Sequence, residues 1–185
     1  MPLQLLSFDH YPVVGDTCRP EWYENLEIFS DEARKAGKPF WAFALATAHE
    51  PYPIPDLAQL RLQVYSDLAY GAQGIQYFTY WTPEKNPTWD FHHAPVERSS
   101  GRRTDVYDKI KQMNAEIRAL SGVFLGCEVV SVRHTGESIP RGTVRLTELP
   151  DGVKKLETTG AGAVVSELRN GNNRFIVIVN RDFKN

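Results

Sequence analysis

The sequence predicts an α/β domain built from parallel βαβ units, followed by a small all-β domain. Three observations carry that prediction. Strand-like and helix-like runs alternate along the first two thirds of the chain. The run "PFWAFALAT" (Pro39–Thr47) is apolar almost throughout, which suits a strand covered on both faces, as in a parallel sheet. After Gly122 the pattern turns to short β-type runs, and Asn170-Gly171 between the last two is a hairpin signal.

Taken in order, "LQLLSF" (Leu3–Phe8) has the length and apolarity of a strand, and the polar "DHYP" follows it. In "PEWYENLEIFSDEARKAGK", Trp22, Leu26, Phe29, Ala33 and Ala36 recur at spacings of three and four, so this segment is a helix, with Pro20 near its start and Gly37 at its end. "PFWAFALAT" is the second strand. "HEPYPIP" is too rich in proline for regular structure. "DLAQLRLQVYSDLAYGA" is a second helix, with Asp56 as N-cap, a stripe of Leu57, Leu60, Val64 and Leu68, and Gly71 at its close. Ile75–Tyr80 is the third strand. The polar loop "TPEKNPTWDFHHAPVERSSGRR" leads to a third helix capped by Thr104, with Val106, Ile110, Met113, Ile117 and Leu120 on its buried face. "EVVSVRH", "GTVRLTEL", "AGAVVSEL" and "NRFIVIVN" then read as strands. A boundary falls within residues 122–128, giving an α/β portion over 1–125 and a β portion over 126–185.

The totals exclude several functions. A net charge of −2 over 185 residues gives no electrostatic case for nucleic acid or an anionic membrane surface. No apolar run approaches the roughly 18 residues of a membrane helix. Cys18 and Cys127 lie far apart and have no metal or redox spacing. Adjacent His92 and His93 lack a matched third ligand, so no metal is expected. "MPLQLLSFDH" has neither a basic nor a long apolar stretch of the kind a leader needs; periplasmic or secreted placement would require a leader upstream.

In parallel α/β folds, ligands bind at the carboxyl ends of the strands. Three such ends carry polar or aromatic groups here: Asp9-His10-Tyr11, His49-Glu50 and Tyr80-Trp81. All three are expected on one face, with Trp89 and His92 of the long loop at its rim. Carboxylates beside exposed aromatic rings suit a sugar, whose C–H face stacks on aromatics while its hydroxyls bond to carboxylates.

These segments resemble glycoside hydrolase family 42, the β-galactosidase family, and its relatives among the retaining (β/α)8 glycosidases. The resemblance is carried by Arg61-Leu62, "LAYGAQG" and the strand ending Phe78–Trp81; "LSFDHYP" is similar to the sixth barrel strand and "KPFWAF" to the seventh, and "GAGAVVSELRNGNNRFIVIVNRD" to the start of the β domain that follows such barrels. It implies a partial (β/α)8 barrel, equivalent to strands six to eight, followed by part of a small all-β domain, and an oligosaccharide substrate with no metal or organic cofactor. Asp9, His10, Tyr11, His49, Tyr80, Trp81, Trp89 and His92 would hold the sugar. Two departures matter. A complete barrel takes about 250 residues, and the region that carries the family's general acid has no counterpart here. The place of the family's nucleophilic glutamate falls near Ala44, leaving Glu50 as the nearest carboxylate and the one candidate nucleophile. Retaining hydrolysis needs two carboxyl groups about 5 to 5.5 Å apart. The chain is therefore expected to be inactive alone, as a fragment of a hydrolase, a catalytically inactive carbohydrate-binding relative or a non-functional truncated fragment, and open sheet edges would favour self-association.

Overall fold

The structure, a computed structural model, describes residues 3–184. It is a mixed α/β chain with two main sheets. Strand β1 (Leu6–Phe8) is followed by a short hairpin, β2 (Val13–Val14) and β3 (Thr17–Cys18), which the sequence pattern did not announce. Helix α1 (Trp22–Lys35), strand β4 (Phe40–Leu45), helix α2 (Leu57–Ala69), strand β5 (Gly74–Phe78) and helix α3 (Asp105–Ala119) come next. A short helix α4 (Ser121–Phe124) leads to β6 (Glu128–His134), β7 (Ala163–Asn170) and β8 (Asn173–Asn180).

The first sheet is parallel, in the order β1-β4-β5, with Ser7 beside Trp41 beside Gly74 and Phe8 beside Ala42 beside Ile75. The strand order follows the chain without reversal. Right-handed crossovers then place α1 and α2 on the same face, and burial agrees: Phe40 and Ala42 share a core with Trp22 and Leu26 of α1 and Leu62 of α2, and Ala44 shares one with Leu60 and Val64. The alternate residues face the other way. Ser7 is exposed, Gln76 reaches across the strands to its hydroxyl at 3.0 Å, and Trp41 keeps 39% of its surface. A Cβ at position 74 would meet the Trp41 indole at 2.9 Å, so only glycine lets that ring lie across the sheet. One face of the parallel sheet is thus packed and the other bare.

Helix α2 is the pivot. Its Asp56 accepts from the Gln59 N–H at 2.7 Å while the Gln59 side chain accepts from the Asp56 N–H, a complete capping box. It is buried nearly all round, because the first sheet lies on one side and the antiparallel sheet β6-β7-β8 on the other. Leu168 joins Leu60 and Val64 in one core, Val132, Val164 and Val179 join Trp22 and Leu26 in the other, and the Ser166 hydroxyl donates to the Ala69 carbonyl at 2.7 Å. At Gly71, just past the helix, φ is 94° and a Cβ would strike Val129 at 2.7 Å, so glycine allows the close approach of β6. Arg61 holds Glu116 of α3 through Nη2 at 2.6 Å, tying the two helices together.

Several expectations are corrected. The third strand stops at Phe78 rather than Tyr80; the chain turns there, at a cis Phe78–Thr79 peptide. Ala36 and Leu120 are exposed, since each lies just past the last helical turn that touches a core. Thr104 stands at the N-cap, but its hydroxyl donates to the Ala94 carbonyl at 2.8 Å instead of capping the helix. "GTVRLTEL" is no strand: it touches β6 through a single bridge, His134 to Arg145, and Val144 and Leu149 stay half exposed. The two cysteines are free thiols.

Candidate functional site

Because β1, β4 and β5 run parallel in close register, their carboxyl ends lie together. The chain leaving β4 is tied to the chain leaving β5: Ala46 N–H donates to the Phe78 carbonyl at 2.8 Å and Thr79 N–H to the Thr47 hydroxyl at 2.8 Å. The long loop folds back over these ends. His92 N–H donates to the Ala48 carbonyl at 2.9 Å, Val96 N–H to the Tyr80 carbonyl at 3.0 Å and Thr82 N–H to the Val96 carbonyl at 3.0 Å, with Ala94 and Val96 buried beneath. Tyr80 and Trp81 are therefore pinned by their backbone while their rings stay 64% and 47% exposed.

An aromatic cluster sits at the centre. His49 lies 4.8 Å from Tyr52, 4.8 Å from Phe91, 5.4 Å from Trp89 and 6.0 Å from Phe78, measured between ring centroids. Its Nδ1 contacts the Thr47 carbonyl at 3.1 Å; a carbonyl only accepts, so Nδ1 is the donor. Tyr11 joins the cluster, 5.6 Å from Tyr52 and 6.2 Å from Phe78. Its hydroxyl is buried without a hydrogen bond of normal geometry, and that burial, with the neighbouring Asp9 carboxylate, pushes its pKa far above the ordinary phenol value. Arg19 reaches the Tyr52 hydroxyl at 2.7 Å.

The expected site residues divide as follows. Tyr11, His49 and Trp89 come together in the cluster, Tyr80 and Trp81 form its exposed shoulder, and Asp9 is exposed beside Tyr11. His10 is turned to α1: Nδ1 meets the Asn25 amide at 3.1 Å, Nε2 lies 3.9 Å from Glu21, and burial lowers its pKa. His92 pairs its Nδ1 with that of His93 at 2.8 Å and lies 3.8 Å from Asp90; burial first, and then His93, lower its pKa. Among the described residues no third ligand joins these two histidines. Glu50 is exposed in the turn beyond β4, and its N–H donates to Asp90 at 2.8 Å, a bond that holds the Asp90 carboxyl below the usual range. β4 pairs with β5 in unbroken register to Leu45, with no bulge that would draw Glu50 onto the strand. Ala44 points into the helix layer, fully buried with Leu60 and Val64.

Sequence reasoning missed Asp90, Tyr52 and Phe91. Tyr52 sits in the proline-rich turn and Asp90 and Phe91 in the long loop, where no period marks orientation. The one available signal was aromatic density, with Trp89, Phe91 and two histidines within five residues.

Fold and strand ends together define an α/β protein of the parallel kind, with its chemistry-bearing side chains gathered where the strands terminate. The chain belongs to the Glyco_hydro_42 family, described as beta-galactosidase, whose model matches residues 2–120. It is thereby related to β-galactosidase-like glycoside hydrolases, a family that implies an oligosaccharide substrate. No curated protein matches the chain.

Proposed function

We propose that the chain is the C-terminal part of a β-galactosidase-like (β/α)8 barrel, with residues 126–185 opening a C-terminal β domain, and that it holds a sugar at the strand ends without cleaving it alone. The observation that carries this reading is the one-sided sheet. Strands in chain order with both helices on one face are the winding of a barrel, whereas a doubly wound sheet has helices on both. A parallel sheet is normally covered on both faces, yet Ser7, Trp41 and Gln76 line a bare one and both edges are open. The accessible surface is 10436 Å². A compact monomer of 21.0 kDa exposes about 9,000 Å². The excess fits a sheet awaiting further strands, and the open edges of β1 and β5 favour self-association until those strands are supplied.

In this reading Trp81 and Tyr80 stack on the sugar, Asp9 and the free Nε2 of His49 bond its hydroxyls, and Trp89 and His92 form the rim. Glu50, the carboxylate nearest the end of β4, is the candidate nucleophile of the completed barrel. Its partner carboxyl would come from the missing strands, since double displacement needs both about 5 to 5.5 Å apart. A second reading, a carbohydrate-binding relative that never cleaves, is supported by Ala44, which stands near the place where the resemblance puts the family's nucleophile. Assay of nitrophenyl β-galactoside with the chain and with Glu50→Gln tests the proposal. Binding without turnover by either is expected. Turnover that Glu50→Gln abolishes would overturn the incomplete-site reading, and absence of any galactoside binding would overturn the site itself.

A further inference from the structure

Among the described residues, strand β8 is an unpaired edge of the antiparallel sheet. The hairpin closes at Asn170–Asn173, and Arg181 N–H donates to the Gly162 carbonyl at 2.9 Å. Backbone bonds alternate along an antiparallel pair, so the odd-numbered residues of β8 bond to β7. Arg174, Ile176, Ile178 and Asn180 therefore turn their N–H and C=O groups to the free edge. That edge lacks the protections natural edges carry. It is eight residues long, without proline, and only Arg174 is charged. Phe175, Val177 and Val179 face the helices, while Ile178 is 50% exposed on the opposite face. Along the edge runs an apolar groove of about 530 Å³ between β8 and helices α2 and α4, lined by Leu62, Tyr65 and Phe124 among others.

We propose that a second copy of this chain occupies that edge, adding its own β8 antiparallel across a two-fold axis at Val177. The edge is self-complementary. A two-fold at Val177 sets Ile176 of one copy opposite Ile178 of the other and Arg174 opposite Asn180. These are the residues whose backbone groups point outward, so each such group on the edge finds a partner. No like charges meet. On the inner face Phe175 lies across from Val179 and Val177 from its own counterpart, so the side chains of each copy enter the groove beside the other's strand. Ile176 and Ile178 of both copies cover one another on the outer face. The pairing is isologous and closed, as a two-fold dimer requires. The edge of β1 cannot do the same with only three residues. This inference is independent of the sugar site.

Size-exclusion with light scattering from low to high micromolar concentration, on the 185-residue chain and on Ile178→Pro, tests it. Proline at 178 removes an N–H that points to the free edge and leaves the β7 ladder intact, a placement edge strands tolerate. A dimer for the parent and a monomer for Ile178→Pro, with matching circular dichroism and melting temperature, is the expected result. In a Cys18→Ser/Cys127→Ser background, Val177→Cys should cross-link into the dimer under mild oxidation, because directly opposed non-hydrogen-bonded residues bring their Cβ atoms to about 4.5–5.5 Å. A parent that stays monomeric overturns the proposal, whether its edge amides exchange freely or are protected by other chain. A dimer that survives Ile178→Pro and does not cross-link through position 177 also overturns it, and places association at the parallel sheet.

Discussion

His134 should make the chain lose stability as pH falls, by an amount the structure allows to be worked out. The imidazole is fully buried on β6. Its Nε2 lies 2.8 Å from the Tyr70 hydroxyl, which reaches Glu27 at 3.1 Å, and the Tyr23 ring stands edge-on at 4.9 Å. Nδ1 is buried without a partner. Burial, and then the nearby Arg181 charge, lower its pKa from 6.5 to about 3. A depressed folded pKa means that the unfolded chain binds the proton first. The stability lent by the neutral ring is then complete above pH 6.5 and drains away as pH falls toward 3. Linkage over those two values gives a loss of about 2 kcal/mol between pH 7 and pH 5, and about 3 kcal/mol by pH 4. Asp67 and Glu27 work in the other direction: burial raises both, so their contribution is largest at low pH and is lost as pH rises. The parent's own pH curve mixes these effects. The comparison that isolates the ring is His134→Gln, which keeps a hydrogen-bonding group for Tyr70 and cannot titrate. Urea unfolding of both proteins at pH 7 and pH 5 should show the parent losing about 2 kcal/mol more than the variant, some 4–8 °C in melting temperature. A difference that stays flat within about 0.5 kcal/mol would refute the reasoning and mean that water reaches the ring.

Two further outcomes follow from burial. Both carboxylate oxygens of Asp67 are buried without partners in the last turn of α2. Asp67→Ala should therefore raise stability at pH 7 by about 1–2 kcal/mol, read by urea unfolding. Leu60, fully buried in the core shared by α2 and both sheets, should cost about 2–5 kcal/mol as Leu60→Ala, with both sheets unfolding in one transition.

Much of the fold was legible because its elements obey simple periods. "PFWAFALAT" is apolar almost throughout yet became a strand with Trp41 on its bare face, since a run without alternation does not say which side is covered. Helix α2 was legible from Leu57, Leu60, Val64 and Leu68, but not the burial of Leu62, Ser66 and Asp67 outside that stripe. Residues 142–149 fit a strand pattern locally and failed because β6 meets them only at the His134–Arg145 bridge, a tertiary fact no window contains. The strand ends were legible as a class, since parallel order fixes which termini meet. The partners of His49 were not: Tyr52 and Phe91 arrive from proline-rich and polar loops, where bridges such as Ala48–His92 set the path. His10 shows the converse. Its place at a strand end was visible, and its turn toward Asn25 of α1 was not.

The four tryptophans offer the most direct test of the strand-end site. Trp81 and Trp89 stand at the proposed sugar rim, Trp41 lies on the bare sheet face, and Trp22 is buried with its indole N–H on the His10 carbonyl at 3.1 Å. Titration of the ¹⁵N-labelled chain with a β-galactoside, following the four indole signals, separates these places in one experiment. The account predicts that the Trp81 and Trp89 signals shift together while Trp22 and Trp41 stay still. Shifts confined to Trp41, or none at saturating sugar, would contradict it.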